Sequence, residues 1–544
     1  MNTRQLQTDK NQKLYHALLG ILLVCALAMM MLLSYWACKY SYYGAVDGRT
    51  RGVLVGDKTW AHIAVFLAAS LCTMGIDKVL MKKDKSQQEK ICLCTLIVTS
   101  VIAFILGVFY VCKNPYYPVG DQINTTAFAA YCRDGNFSML SIGGYVGMYQ
   151  QQKGLAILYE ILFTLFGDFN YRPAKILHVV WWILTILAGY GFLKLNTDRP
   201  VFRMLYCVMM LGCFPLLFYL PYIYGDVLSI SFGIILFYGV AAYEHSGQKR
   251  YIALASFAAG LAVLARKNTW IVLVAVAVYV LLVSLRKKKV RYLMAGTAIL
   301  LTAALSVKAV DVIYEVRSGY PSGVGVPSIL WVAMGLQETE GRAGVYNRYQ
   351  QATFTDYDCQ QELAAQQGKK YIRERLEEFS QDPGMAFNFF KNKVEGQWIE
   401  PMYAALESTE SFEEGAELSP VLESLYYGEL GRTIWKLTNY YQSILYLAGL
   451  MALVMLGILW WKKKEVPISL WLPWIAVFGG FLFSILWEAK SRYVFPYCVF
   501  MILYAPEGLY QTGLLLCKLP KLRKFKKSGH TQDKGEEASL RETA

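Results

Sequence analysis

The chain has 544 residues, with 54 Lys and Arg against 40 Asp and Glu and a formal net charge of +14. It is 55% hydrophobic and only 17% charged, whereas a soluble globular chain carries about a quarter charged residues. A soluble enzyme is excluded, and the positive excess has to be located before it suggests a nucleic-acid partner.

A bilayer core is crossed by about 20 apolar residues in a helix. Runs of this kind predict twelve spans: 14–38, 59–77, 91–112, 174–193, 201–221, 227–244, 251–266, 269–285, 292–311, 441–461, 467–487 and 493–515. The first is too long for a cleavable signal peptide and lacks a small-residue cleavage site. Residues 1–90 read as an added two-span segment ahead of a core that starts at 91. Residues 154–167 (GLAILYEILFTLFG) are apolar but short, and they read as an interfacial or re-entrant helix on the outer side.

The connections set the orientation. The stretches 1–13, 78–90, 194–203, 245–250, 286–291, 462–464 and 518–527 hold 27 Lys/Arg against 4 Asp/Glu. With twelve spans all seven fall on one face, so both termini are expected in the cytoplasm of a multi-pass cell-membrane protein. The basicity then records orientation, and no nucleic-acid partner is expected.

Two outer segments are substantial. One is the loop 113–171 within the core 91–311. The other, 312–440, carries 11 basic and 19 acidic residues and shows helical patterning at 360–380 and 384–398. Three spans follow over 441–517, then a tail, 518–544, that is basic and afterwards polar and disordered. The expected architecture is therefore an all-α polytopic membrane protein. It has about twelve transmembrane helices, an outer interfacial helix and a mainly helical extracytoplasmic domain. The twelve cysteines fall mostly inside apolar runs and form no Cys-x-x-Cys or Cys/His cluster, so zinc and thiol-redox readings gain no support.

Charged groups near an outer membrane face are costly and invite a functional reading. Four constellations qualify. The first is Gly120-Asp121-Gln122, followed by the aromatic and Gln-rich stretch Tyr149 to Lys153. A carboxylate at the mouth of a bundle suits a general base, and it equally suits the N-cap of a helix beginning near Ile123. The second is Tyr224-Gly225-Asp226, a tight outer turn whose carboxylate either caps the next helix or works with Asp121. Together the two could share base work or hold a divalent cation. The third is Arg266-Lys267-Asn268, placed against the positive-inside bias, which fits a lipid phosphate or simple snorkelling to headgroups. The fourth is Glu488-Ala489-Lys490-Ser491-Arg492-Tyr493. Here Lys490 and Arg492 are phosphate-binding candidates with Glu488 as counter-ion, or parts of a structural ion-pair network. Arg172, after the interfacial helix, joins the phosphate candidates.

In order and sidedness these residues resemble the GT-C superfamily of polytopic membrane glycosyltransferases, near the protein O-mannosyltransferase and aminoarabinose transferase branch. The resemblance runs from about 91 to 515. Asp121-Gln122 stands where that family has Asp-Glu, Ala129 or Ala130 and Gly135 follow, and Leu165-Phe166-Gly167 with Arg172 match the end of its interfacial helix. Tyr224-Gly225-Asp226, Arg266-Lys267-Asn268 and Ser491-Arg492-Tyr493 resemble motifs of a bacterial branch. So do Trp331-x-x-Met334-Gly335 and Gly344-x-Tyr346-Asn347 in the outer segment. The chain departs from the pattern at Gln122, where Glu is usual, and at Tyr149 to Lys153, where a proline-containing segment is usual.

The resemblance implies transfer of a sugar from a polyprenyl-phosphate carrier to a glycan, lipid or protein acceptor of the envelope, on the outer face and with inversion. Asp121, with Asp226, would be catalytic. Arg172, Arg266, Lys267, Lys490 and Arg492 would hold the donor phosphate, with Gln122, Tyr224, Asn268, Glu488 and Tyr493 in support. No cofactor is called for beyond the one candidate, a divalent cation between Asp121 and Asp226. A lipid-saccharide flippase or transporter is the alternative reading, and a non-catalytic envelope scaffold a third.

Overall fold

The computed structural model describes residues 3–43, 53–323, 325–464 and 466–518. Of the tail expected over 518–544, all but residue 518 lies outside the described residues. Among the described residues, apart from two short antiparallel hairpins, Tyr40–Tyr43 with Val53–Gly56 and Glu338–Thr339 with Arg342–Ala343, the regular elements are helices. In an apolar slab each backbone N–H and C=O must be satisfied within its own segment, and the helix does this.

Among the described residues nine helices are long and apolar enough to cross a membrane: Asn11–Lys39, Thr59–Leu80, Lys85–Lys113, Arg172–Asn196, Asp226–Ser246, Lys267–Lys287, Val290–Ser318, Glu429–Trp461 and Ile468–Leu486. The chain is a helical multi-pass membrane protein. Three stretches expected as spans take another form. Residues 201–221 split into Pro200–Leu211 and the short Phe214–Phe218, broken at Gly212 with Pro215 behind it. Lys249–Ala265 has 17 residues and stops where Arg266 turns extended. The last stretch is interrupted: Ser491–Met501 runs through Pro496, the chain turns at 502–504 ahead of Pro506, and the helix resumes over 505–518. Proline removes a ladder hydrogen bond and clashes with the preceding turn, which composition scanning does not register.

Asp226–Ser246 lies at the centre of the bundle, with 83% of its apolar window buried, while Lys85–Lys113 and Val290–Ser318 are peripheral at 28%. The N-terminal helix packs along Glu429–Trp461. Gly20 faces the Trp460 ring, Gly449 faces Met30 and Gly457 faces Leu23, close approaches of the kind that join membrane helices. Arg199 binds Asp77 at 3.0 Å and Arg203 binds Glu89 at 2.6 Å, so the second and third helices are also tied to the core.

The apolar stretch 154–167 forms the helix Lys153–Phe166. Its 14 residues reach about 21 Å at 1.5 Å per residue, short of a bilayer core of about 30 Å. Gly167, at φ 93°, ends it. In the outer segment the patterning at 360–380 and 384–398 corresponds to Gln361–Gln381 and Pro383–Trp398. The edges of this segment differ from expectation. Val290–Ser318 and Glu429–Trp461 run on past 311 and before 441, because amphipathic turns extend each apolar run without a break.

Candidate functional site

The site starts from a close approach of two turns. Tyr222 to Gly225 lead into the helix Asp226–Ser246, and a Cβ on Gly225 would collide with the Ala265 carbonyl. Only glycine lets this turn sit against the end of Lys249–Ala265. The contact brings Asp226 to Arg266, whose guanidinium donates to the Asp226 carboxylate. Arg492 Nε stands 3.9 Å from the same oxygen. Asp226 is 1% exposed and makes no side-chain cap bond at its helix. The expectation that Asp226 shares base work or metal binding with Asp121 is therefore corrected. Two guanidiniums take up its charge, and it does not face open space.

The guanidiniums are caged by phenol rings. Arg266 lies 5.6 Å from the Tyr224 ring centre and 5.4 Å from that of Tyr493. Arg492 lies 5.2 Å from Tyr222, 5.3 Å from Tyr224 and 5.5 Å from Tyr493. Ring faces attract cations, so the cage fixes both side chains and leaves their positive charge at the cavity surface.

Asp121 has the opposite environment. Gly120, at φ 59°, turns the chain so that Asp121 is the first residue of Asp121–Arg133, with no side-chain cap bond. Its carboxylate is exposed and accepts from the Tyr145 hydroxyl at 2.8 Å. Burial first, then the Asp121 charge, push the Tyr145 phenol up, so it stays a donor. Gln152 Nε2 reaches Tyr145 at 3.4 Å and donates to the Tyr224 hydroxyl at 2.5 Å. A hydrogen-bonded chain thus runs from Asp121 to the ring cage. Gln122 is buried, accepts from the Tyr116 hydroxyl and braces the loop. It does not join Asp121 at the cavity.

The remaining wall is the segment 487–493 held by the outer domain. Trp487 stacks on Trp331, centroids 5.9 Å apart and planes 4° from parallel. The Ala489 N–H donates to the Gly344 carbonyl at 2.7 Å. Lys393 Nζ donates to the Gly335 carbonyl, and a Cβ on Gly344 would meet that carbonyl at 2.7 Å. The Trp331, Gly335 and Gly344 motif is the clamp that positions this segment. Glu488, 7% exposed, accepts weakly from the Tyr493 hydroxyl at 3.4 Å. Burial pushes its carboxyl up to about 7, with Asp121 adding to the rise and Lys490 opposing it.

These walls enclose a cavity of about 1030 Å³, at the upper end of the usual range for small-ligand sites. Asp121, Tyr145 and Gln152 line one part of it, and Tyr224, Arg266, Lys267 and Asn268 another. Glu488, Lys490, Arg492 and Tyr493 complete this end. Arg172 is not brought in. It is exposed at the start of its helix, where its backbone N–H reaches the Asn170 side chain at 3.3 Å, and its assignment to the phosphate group is corrected. Sequence reading missed Tyr145, Arg342, Lys393 and Glu395, which also line the cavity. Lys393 and Glu395 show in sequence only as charges in the amphipathic run 384–398, Tyr145 as one of several loop aromatics and Arg342 as a lone loop cation, and none of this says what they face.

A divalent cation does not fit the expected pair, since Asp226 is neutralised by arginine. Among the described residues no group of three or more His, Cys, Asp or Glu side chains is placed to hold a metal. No family profile, curated protein or solved structure matches the chain.

Proposed function

We propose that this protein is an integral membrane glycosyltransferase that moves a sugar from a polyprenyl-phosphate donor to an envelope acceptor on the outer face. The reading includes the GT-C likeness, twelve crossings and both termini in the cytoplasm. The observation that carries it is one cavity with an exposed carboxylate, Asp121, and a caged pair of guanidiniums, Arg266 and Arg492, in its walls. Cations alone would suit any anion; the carboxylate held by Tyr145 adds a base.

Asp121 takes the proton of an acceptor hydroxyl as that oxygen attacks the anomeric carbon from the side opposite the phosphate. The bond from the anomeric carbon to the phosphate oxygen breaks, and its electron pair leaves with the lipid phosphate. Arg266, Arg492, Lys267 and Lys490 stabilise the charge that grows there, as fixed cations do in a water-poor site. Asp226 is a positioning residue that holds the two guanidiniums. An outer-face site has no access to cytoplasmic nucleotide sugars, which favours a lipid-linked donor.

The test uses the full-length protein in vesicles supplied with polyprenyl-phosphate hexoses. Asp121→Asn should lower transfer at least a hundredfold, the scale of general-base catalysis, with normal expression and insertion. Full activity in that variant would remove Asp121 from the mechanism. Movement of the lipid-linked sugar across the vesicle with no glycosidic bond formed would favour a flippase.

A further inference from the structure

Two sequence features have no task in the reaction drawn above: the aromatic and Gln-rich stretch from Tyr149, and Tyr346 with Asn347. Both line the cavity wall that begins at Asp121. The Tyr145 ring, whose hydroxyl holds Asp121, packs on Tyr149 with centroids 5.1 Å apart, and Tyr149 packs on Trp331 at 6.1 Å. Tyr149, Trp331 and Tyr346 all face the cavity.

Tyr346 is the open ring of this wall. It is 48% exposed, and no other ring of the described residues packs on it. Its hydroxyl meets Tyr149 and Gln350, and it lies close enough to feel the charges of Asp121 and Glu488. The loop that carries it is fixed on both sides. Before it, the Gly344 N–H donates to the Gln337 carbonyl at 2.7 Å, and the Gly344 carbonyl accepts from Ala489. After it, Asn347 Nδ2 donates to Gln337 Oε1 at 2.6 Å and Thr339 Oγ1 at 3.1 Å, and its Oδ1 accepts from the Tyr349 N–H at 3.0 Å. A half-exposed phenol on so rigid a loop binds a flat partner with little ordering cost.

The groups beside these rings are uncharged amides. Gln151 stands two residues beyond Tyr149, and Gln351 follows Gln350. Both are half-buried, both line the cavity, and neither side chain meets a protein hydrogen-bond partner among the described residues. An amide donates and accepts, as a hydroxyl does. A phosphate calls for the cations of the opposite wall. A lipid chain would strand the amides. A cation could lie on the rings, and five carboxylates line the cavity: Asp121, Glu395, Glu400, Glu407 and Glu488. Seven Lys and Arg side chains line it too. Burial pushes the Glu400 and Glu488 carboxyls up and Lys393 down, so both signs lose charge and the excess stays positive. A neutral pyranose meets every condition, with an apolar C–H face for the rings and hydroxyls for the amides.

We infer that Tyr149, Trp331 and Tyr346, with Gln151 and Gln351, form a subsite for a neutral pyranose, and that the acceptor is accordingly a saccharide. The acceptor role rests on the transferase reading; binding of the sugar does not.

The experiment is saturation-transfer NMR on the full-length protein in a sugar-free detergent. The probes are maltose and N,N′-diacetylchitobiose, with the de-acetylated chitobiose as the cationic comparison. Tyr346→Ala should weaken neutral disaccharide binding about tenfold, the scale of one aromatic contact. Tyr346→Leu, which keeps apolar bulk without a flat ring, should weaken it as well, and Tyr346→Phe should retain it. Gln351→Ala should weaken it, while the unfolding midpoint and polyprenyl phosphate binding stay unchanged in all four. The same pattern in an Asp121→Asn background upholds the subsite even if the proposed reaction falls. Native affinity in both Tyr346→Ala and Gln351→Ala overturns the inference. So does tighter binding of the cationic disaccharide than of its acetylated counterpart. Failure of the unaltered protein to bind either neutral disaccharide overturns it too, as does binding of a long-chain alcohol or a serine-rich peptide in their place.

Discussion

Asp226→Asn separates holding the cations from performing the chemistry. The substitution keeps shape and one acceptor oxygen but removes the charge that two arginines share. The Arg266 and Arg492 side chains are only 10% and 6% exposed, so neither guanidinium regains a full water shell. Removing one partner of a buried ion pair costs about 3–5 kcal/mol. Both arginines border the cavity, where water rehydrates them in part, so the lower end, about 3 kcal/mol, is expected. Asp121→Asn should differ sharply: that carboxylate is exposed and weakens one hydrogen bond, from Tyr145, worth about 1 kcal/mol. Thermal unfolding of the solubilised protein, followed by tryptophan fluorescence, compares the two. Asp226→Asn should lower the midpoint clearly and Asp121→Asn little. Asp226→Asn combined with Arg266→Gln should recover part of the loss, since one stranded charge is then gone. An unchanged midpoint in Asp226→Asn, or strictly additive effects in the double variant, would refute the buried pairing.

Gly225→Ala should destabilise the protein by about 1–3 kcal/mol, the usual cost of forcing atoms into a packed site. It should also weaken phosphate binding, because the Ala265 carbonyl it strikes precedes Arg266; an unaltered phosphate affinity would contradict the close approach. Two buried groups predict separate pH windows for stability. Glu488 is raised from 4.5 to about 7. The stability its neutral form contributes is complete below pH 4.5, is lost as pH rises to about 7, and stays lost above. Lys393 is lowered by burial from 10.5 to about 7, so stability falls as pH drops from 10.5 towards 7. Unfolding midpoints across pH should lose the acid-side slope in Glu488→Gln and the alkaline-side slope in Lys393→Met. Retention of either slope would show that another group carries it.

Composition and apolar run length reveal the membrane class and the positions of the long helices, because each span is dictated by its own residues. They fail where one residue ends a helix. Pro215 and Pro506 stand just behind the breaks in runs that read as continuous spans, and Arg266, turned extended, closes Lys249–Ala265 at 17 residues. They fail also where a partner distant in sequence decides the form. Nothing local makes Tyr40–Tyr43 a strand; Val53–Gly56 and the Ile399 carbonyl complete its hydrogen bonds. Trp331, Gly335 and Gly344 stand out as a motif, yet their task depends on Trp487 and Ala489, more than 140 residues away.

Asp121 and Asp226 show why the site was half legible. Both follow glycine, both open a helix, and neither caps it. Local rules give them one reading, and they differ only in what their glycines meet. Gly120 takes a positive φ of 59° and has nothing within 4 Å of its Cβ position. Its carboxylate therefore stays at the open cavity, where the Tyr145 hydroxyl holds it. Gly225 is pressed against the Ala265 carbonyl, so its carboxylate is buried beside Arg266. A base that must exchange protons with an acceptor needs the first setting. A counter-ion that must keep two guanidiniums in place needs the second. Exchanging the environments, for instance by a bulky residue at Gly225, should release Arg266 before it affects Asp121. Donor-phosphate binding should then fail while the Asp121 to Tyr145 contact persists.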